Sequence, residues 1–349
     1  MPRRTIRAQR KSSHTKAPYD PEKRVVAVTG AHGFIGGQLI RRLEEDPRYR
    51  TILALDIRKP IAPLDKTQFH RIDLTMPSAD AEVAAVLRRE GADTLVHAAF
   101  LHGPTHANAW AHELENIGTI HVLNAAAEVG LRKLVSWSLT AVYGAHASNP
   151  NYLTEDHPLN GVPQSRFITD RVQAEFEIRR FRQEHPDPIV TVLRTAHVIG
   201  PTIDNYVARF FRSPLAPVLM GYDPLMQFLH EDDAIDAFKL AVDEDHPGEF
   251  NLVGDGVLPY STVLAMLGRV PIPVPRFLAY PVARTLWATQ VLESPPVFLE
   301  FLRYLCVADG SRARSVMGFQ PRYDIRDTIT DFLGLEDEPS DFASEGGRT

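Results

Sequence analysis

Val25-Val26-Ala27-Val28 is a run of small and β-branched apolar residues that opens directly into Thr29-Gly30-Ala31-His32-Gly33-Phe34-Ile35-Gly36. A run of this kind makes a parallel strand covered on both faces. Leu39, Ile40 and Leu43 then recur at helical spacing. Strand, glycine turn and helix in that order dictate a particular local geometry. The first glycine permits the tight turn, the second removes a Cβ where an anion would approach, and the third lets helix and strand pack closely. The helix N-terminus presents free N–H groups to the same point. Gly30, Gly33, Phe34, Ile35 and Gly36 are therefore expected to cradle the diphosphate of a dinucleotide.

The rest of the chain repeats the alternation. Strands are expected at residues 51–55, near 69–72, and at 94–97, 133–138 and 189–194, with helices at 79–89 and about 107–129 and another that contains 175–182. Strands separated by helix-length segments predict an α/β fold with a Rossmann-type doubly wound parallel sheet. Beyond Gly200 the rhythm changes, with Pro214, Pro217 and Pro224 breaking the chain, and residues 249–253 read as a strand returning to the sheet. Residues 271–308 are strongly apolar and punctuated by prolines. A smaller, partly helical C-terminal substrate domain is expected there, over 201–334, with segments near 226–254 rejoining the sheet of the 19–200 domain. The apolar density reads first as core, and second as a pocket or surface for a greasy substrate or a membrane interface.

Charge and cysteine usage exclude several classes. Residues 1–18 carry six basic and no acidic side chains, whereas 335–349 carry five acids against Arg348. Both ends lack apolar periodicity and read as disordered tails. The net charge of −6 leaves an acidic body, so no specific nucleic-acid partner is expected. Arg3-Arg4 has no apolar stretch behind it, so no secretory signal is supported. No window is apolar enough to span a membrane. Cys306 is the single cysteine, which forbids an intramolecular disulfide and a cysteine metal centre and fits a reducing cytoplasm. His102 and His106 stand four apart, but Pro104 between them argues against one helical face, and no metal is expected.

Asp56 lies 20 residues after Gly36, at the end of the second strand. A carboxylate there accepts hydrogen bonds from a ribose diol and repels a 2′-phosphate, so NAD is expected in preference to NADP. Arg58 works against that preference.

At this point the chain resembles the extended short-chain dehydrogenases, the NAD-dependent epimerase/dehydratase family. Thr29-Gly30-x-x-Gly33-Phe34-Ile35-Gly36 matches the opening motif, Asp73-Leu74 the pair that holds the adenine, and His97-Ala98-Ala99 the fourth-strand motif lining the cofactor. Asn116-x-Gly118-Thr119 is close to the family's helix motif, with one residue fewer in the gap. Ala141-Val142-Tyr143-Gly144, Leu193-Arg194, Gly200-Pro201, Phe228-x-His230-x-x-Asp233-Ala234 and Phe250-Asn251-Leu252-x-Gly254-Asp255 follow in the family's order. Asp309-x-Ser311-x-Ala313 and Gly318-Phe319-x-Pro321 resemble its C-terminal signature. The likeness covers about residues 24–334 and implies a homodimer.

The resemblance also implies a Ser or Thr, a Tyr and a Lys as the proton-transfer unit, the lysine lowering the phenol's pKa from about 10. Five residues before Gly144 stands Leu139, and the expected Tyr-x-x-x-Lys is Phe167-x-x-x-Arg171. Phe167 cannot move a proton, and Arg171 is left as a ribose contact whose planar fork does not replace an ammonium. His197 stands where relatives carry an Asn that touches substrate and is the first substitute proton carrier, with Tyr143 the second. Where sugar-nucleotide relatives place a diphosphate-clamping Arg, four residues before His230, stands Met226. The sequence reading is an NAD-binding oxidoreductase or epimerase acting on an apolar or sugar-like small molecule with non-standard acid/base groups. Its alternatives are a catalytically silent NAD-binding sensor or scaffold, and a nucleotide-binding protein drawn to RNA or to a membrane by its basic tail.

Overall fold

The structure is a computed structural model that describes residues 24–60, 65–292 and 294–334; the expected tails at 1–18 and 335–349 lie outside these. Strands β1 (Arg24–Thr29), β2 (Tyr49–Asp56), β3 (Thr67–Arg71), β4 (Thr94–His97), β5 (Lys133–Leu139) and β6 (Ile189–Thr195) build one sheet with a seventh strand, Gly248–Leu252. From one edge the order is seventh strand, β6, β5, β4, β1, β2, β3, every pair parallel. The order reverses between β1 and β4, which opens a crevice at the carboxyl ends of those strands.

Alternation along β1 assigns the two faces. Val26 and Val28 join Ile35, Leu39 and Leu43 of helix Phe34–Glu44 and Ala234 and Phe238 of helix Glu231–Asp243. Val25 and Ala27 point the other way, against Val83 and Leu87 of helix Ala79–Glu90 and Val122 of helix Gly118–Val129. Both faces are dry, as the uninterrupted apolar strands require.

Some elements depart from the expected bounds. The helix expected over 107–129 is interrupted at Glu113–Ile117 by a π-turn, whose wider ring has no signature in apolar periodicity. Residues 175–182 lie, as expected, within a helix, Arg166–Glu184, its start fixed by the Ser165 hydroxyl accepting from the Ile168 amide. The third strand starts at Thr67, where pairing with Ile52 of β2 begins, rather than at residue 69.

The C-terminal lobe sits over the crevice. Leu215–Leu219 pairs in parallel with Val270–Val274, and Phe228–His230 pairs with His197–Ile199. Helix Arg276–Ala288 and the 3-10 turn Pro296–Leu302 follow, and helix Ile325–Phe332 opens on an Asp324/Asp327 capping box. Phe211, Phe228, Tyr260 and Phe332 belong to a separate core beneath these elements, which also includes Phe167 and Tyr206.

Candidate active site

The glycine turn has the geometry its sequence demands. Gly30 adopts φ +69°, and a Cβ there would meet the Ala98 carbonyl oxygen at 2.5 Å. A Cβ on Gly36 would stand 2.2 Å from the Gly30 oxygen, so helix Phe34–Glu44 reaches the turn only because position 36 is bare. No side chain caps that helix, leaving amides at its first turn available to an anion. The Phe34 amide points at His102 Nε2, 3.4 Å away. Phe34 and Ile35 form the first turn, with Ile35 buried beneath it.

Asp56 ends β2 beside this turn. Its Oδ2 accepts from the His32 amide at 2.9 Å and its Oδ1 from the Arg58 amide at 3.1 Å. Each oxygen keeps a lone pair for a further donor. Asp73 closes the turn after β3, with Oδ1 accepting from the Thr75 amide and hydroxyl. Leu74 is buried against Gly118, where a Cβ would lie 3.1 Å from the leucine Cβ.

His97 locks the two strand ends that border the crevice. The Thr119 hydroxyl donates to the Glu115 carbonyl, so its oxygen accepts from His97 Nε2 at 3.0 Å. Thr29 Oγ1 accepts from the Ala98 and Ala99 amides and donates to His97 Nδ1 at 2.9 Å. This pattern requires the neutral Nε2–H tautomer. Burial, helped by the Arg171 charge, lowers the His97 pKa to about 3. Ala98 and Ala99 are thereby held directly above Gly30.

Beyond them lies a small cavity of about 30 Å³, lined by Leu139, Phe167, His197, His102, Tyr206 and Trp137 among others. That is room for roughly one water. Leu139 ends β5, and Phe167 sits in the first turn of helix Arg166–Glu184. Arg171, one turn on, is fully buried. Its Nε donates to Glu115 Oε1 at 3.2 Å and its Nη2 to the Leu101 carbonyl at 2.7 Å. Its guanidinium lies 4.2 Å from the Phe100 ring centre and 4.7 Å from that of Trp137. Arg171 Nη1 and Glu115 Oε2 are buried without partners.

His197 and Tyr206 face each other edge to face, 6.4 Å between ring centres, and Tyr206 meets Phe167 in the same way at 6.0 Å. Burial holds His197 and His102 at pKa values of about 4, with nearby Arg171 adding to the effect on His102. Both are neutral near pH 7. Asn205 fixes Tyr206: its Oδ1 accepts from the Ala208 amide and its Nδ2 donates to the Val198 carbonyl, both at 2.8 Å. The Tyr206 hydroxyl is buried with no hydrogen-bond partner, and burial raises its pKa against an opposing pull from Arg171.

The family model described as the NAD dependent epimerase/dehydratase family matches residues 26–253. The chain belongs to that family. An uncharacterised protein of Mycobacterium tuberculosis is 31% identical over 329 residues, covering 92% of this chain and 85% of its own. A UDP-glucose 4-epimerase of Mycolicibacterium smegmatis is 27% identical over 323 residues, covering 86% and 95%. Among solved structures, a UDP-glucuronic acid 4-epimerase from Bacillus cereus in complex with NAD superposes with a TM-score of 0.67 at 18% identity, covering 89% of this chain and 98% of that one.

Several of the motif residues are held in a buried hydrogen-bond network. Arg194 clasps Glu175 through Nη2 at 2.6 Å and Nε at 3.0 Å, and its Nη1 donates to the Tyr143 hydroxyl at 2.8 Å. That hydroxyl donates on to Asn251 Oδ1 at 2.7 Å. Burial pushes the Tyr143 pKa up to about 12. Tyr143 is thus bound into a buried network and lines none of the described cavities. Ser138 donates to Glu175 in the same network, turned away from Leu139. Met226 is buried in the C-terminal core, and His106 stacks on Trp287 at 3.7 Å, apart from His102 beside Trp137.

Two larger cavities lie nearby, of which the first reaches Phe167. One of about 360 Å³ lies between Phe167, Arg166, Thr105 and Trp287. The other, about 600 Å³, lies between His146, Val162, Tyr280 and Tyr304. Gln164 and Pro295 border both. The sequence did not single out Glu115 or Tyr206. Glu115 is turned inward within the unsignalled π-turn, and Tyr206 reaches the cavity only through the fold of a short helix after the sheet.

Proposed function

We propose that this protein binds NAD and acts as an epimerase- or dehydratase-type oxidoreductase on a sugar-like or apolar small molecule, with its proton-transfer groups displaced from the family's usual positions. The observation that carries this reading is the unpartnered Tyr206 hydroxyl, enclosed between Phe167 and His197 where Leu139 and Phe167 themselves offer no proton. The bare glycine turn, the uncapped helix and the paired lone pairs of Asp56 fit a dinucleotide, and the orphaned Arg171 Nη1 suits a ribose hydroxyl. When bound, NAD supplies the hydride acceptor. Neutral His197 accepts the proton of the substrate hydroxyl as hydride leaves its carbon. Tyr206, kept protonated by burial, donates a proton to that oxygen when hydride returns, and the proton on His197 then restores the phenol. Asp56 is assigned the preference for NAD over NADP. Met226 removes the arginine that would clamp a diphosphate, and the 600 Å³ cavity is lined largely by apolar side chains, which favours a substrate with an apolar portion.

The test combines calorimetry with NAD+ and turnover assays with UDP-glucose. The expected result is NAD binding with conversion at least a thousandfold below ordinary enzyme rates of about 1–10³ per second. UDP-glucose turnover at ordinary rates would show that the proton path is a different one. The small volume of the cavity beside Phe167, about 30 Å³, favours a second reading, a cofactor-binding protein without turnover. Tight NAD binding with no reduction of the cofactor by any alcohol in a broad panel would select it.

A further inference from the structure

Between Gly268 and Leu292 the chain has no acidic residue and three arginines, Arg269, Arg276 and Arg284, within a protein of net charge −6. Helix Arg276–Ala288 turns one face inward. Ala279 and Ala283 are buried, Tyr280 hydrogen-bonds Glu300, and Trp287 stacks on His106. The opposite face carries Phe277, Leu278, Pro281, Val282, Thr285 and Ala288, all exposed and without a charge among them. Helical spacing puts these positions on one side. Phe277 is 75% exposed, and Val291, just beyond the helix, is 67% exposed. The neighbouring Val270–Val274 strand leaves Val270 and Ile272 exposed as well.

Burying these side chains in water-free surroundings is favourable, so such a face calls for an occupant. Its charge identifies which. Arg284 is exposed at its border and Arg276 at the start of the helix, whereas Arg269 is tied to the Phe211 carbonyl at 2.7 Å. A second copy docked through the same face would set arginine against arginine, and the segment between Gly268 and Leu292 brings no carboxylate to pair them. An anionic lipid surface satisfies both features, taking the apolar face below its headgroups and the arginines among its phosphates.

We propose that the outer face of helix Arg276–Ala288, together with Val270, Ile272 and Val291, is a peripheral docking surface for anionic lipid bilayers. Docking there places the membrane on the far side of the helix from the cavities that Trp287 and Tyr280 line.

The test is co-sedimentation of the full-length protein with phosphatidylcholine vesicles containing or lacking phosphatidylglycerol. Binding is expected only with phosphatidylglycerol. Phe277→Asp with Val282→Asp should weaken it at least tenfold at an unchanged melting temperature, since both side chains already face solvent. Arg276→Glu with Arg284→Glu should weaken it further, each arginine on an anionic surface being worth roughly fivefold. Should the aspartate pair lower the melting temperature, Val291→Asp replaces it. Absence of sedimentation, equal sedimentation with phosphatidylcholine alone, or undiminished binding of the folded aspartate variants would each overturn the proposal. A dimer in analytical ultracentrifugation that Phe277→Asp dissociates would overturn it in favour of a second copy.

Discussion

Glu115 and Arg171 meet beneath the cavity, Oε1 to Nε 3.2 Å apart, with both side chains cut off from solvent. Burial pushes the Glu115 pKa up to about 7 against the pull of Arg171, and it depresses Arg171 in turn. The pair exists because each charge would be intolerable there alone. Its partner atoms tie the π-turn, helix Arg166–Glu184 and the Leu101 loop into one unit.

Removing one member should therefore cost more than removing both. Glu115→Leu alone is expected to destabilise by about 3–5 kcal/mol, because it strands a buried guanidinium. Glu115→Leu with Arg171→Met should recover more than half of that loss. Urea unfolding of the two single variants and the double variant measures the coupling, and additive losses would show that the pair is not one unit.

Asp56 should set the cofactor preference. NAD is expected to bind at least tenfold more tightly than NADP, and Asp56→Ala should narrow that gap by weakening NAD and relieving repulsion of the 2′-phosphate. Calorimetry with both cofactors decides it. Equal affinities in the unmutated protein would remove the role assigned to this carboxylate.

His97 should make stability depend on pH in a stated direction. Its pKa falls from about 6.5 unfolded to about 3 folded, so at intermediate pH the unfolded chain binds the proton that the folded one refuses. The stabilising contribution is complete above about pH 6.5 and is lost as the pH drops towards 3, at about 1.4 kcal/mol per pH unit. His97→Gln lowers stability at pH 7, since Thr29 and Thr119 lose their fitted partner, but its melting temperature should fall less steeply between pH 6.5 and 4. Parallel slopes for the two proteins would contradict the tautomer assigned here.

Rebuilding the proton-transfer unit should be non-additive. Phe167→Tyr alone is expected to give no more than a few-fold change in activity, because Leu139 supplies no second hydroxyl and Arg171 remains committed to Glu115 and Leu101. Leu139→Ser, Phe167→Tyr and Arg171→Lys together restore all three groups, and their combined gain should exceed the product of the single gains. Tyr206→Phe is the complementary variant. It should leave NAD affinity within about twofold and lower turnover at least a hundredfold, the size expected of a proton-transferring side chain. Full activity in Tyr206→Phe would move that role to His197.

The local chemistry of the chain settled a good deal by itself. Val25–Val28 had to be a buried strand, and Gly30, Gly33 and Gly36 had to form a turn without side chains, because bond geometry and Cβ sterics act within a few residues. Asp56 followed from its place at the end of the next strand. The sheet's alternation with helices was legible for the same reason, since apolar periodicity is a local record of burial. What surrounds the cavity was not local. Tyr143 and Ser138 sit in recognisable motifs, yet the fold sends both hydroxyls into the Arg194–Glu175–Asn251 network. Tyr206 and Glu115 carry no motif, yet the fold brings one to the cavity and the other to Arg171. The direction of a side chain across such distances depends on how helices pack and on one π-turn that periodicity does not register. The apolar run at 271–308 likewise predicted burial, and only the packing of its inner face through Ala279, Ala283 and Trp287 decided that Phe277 and Val282 remain outside.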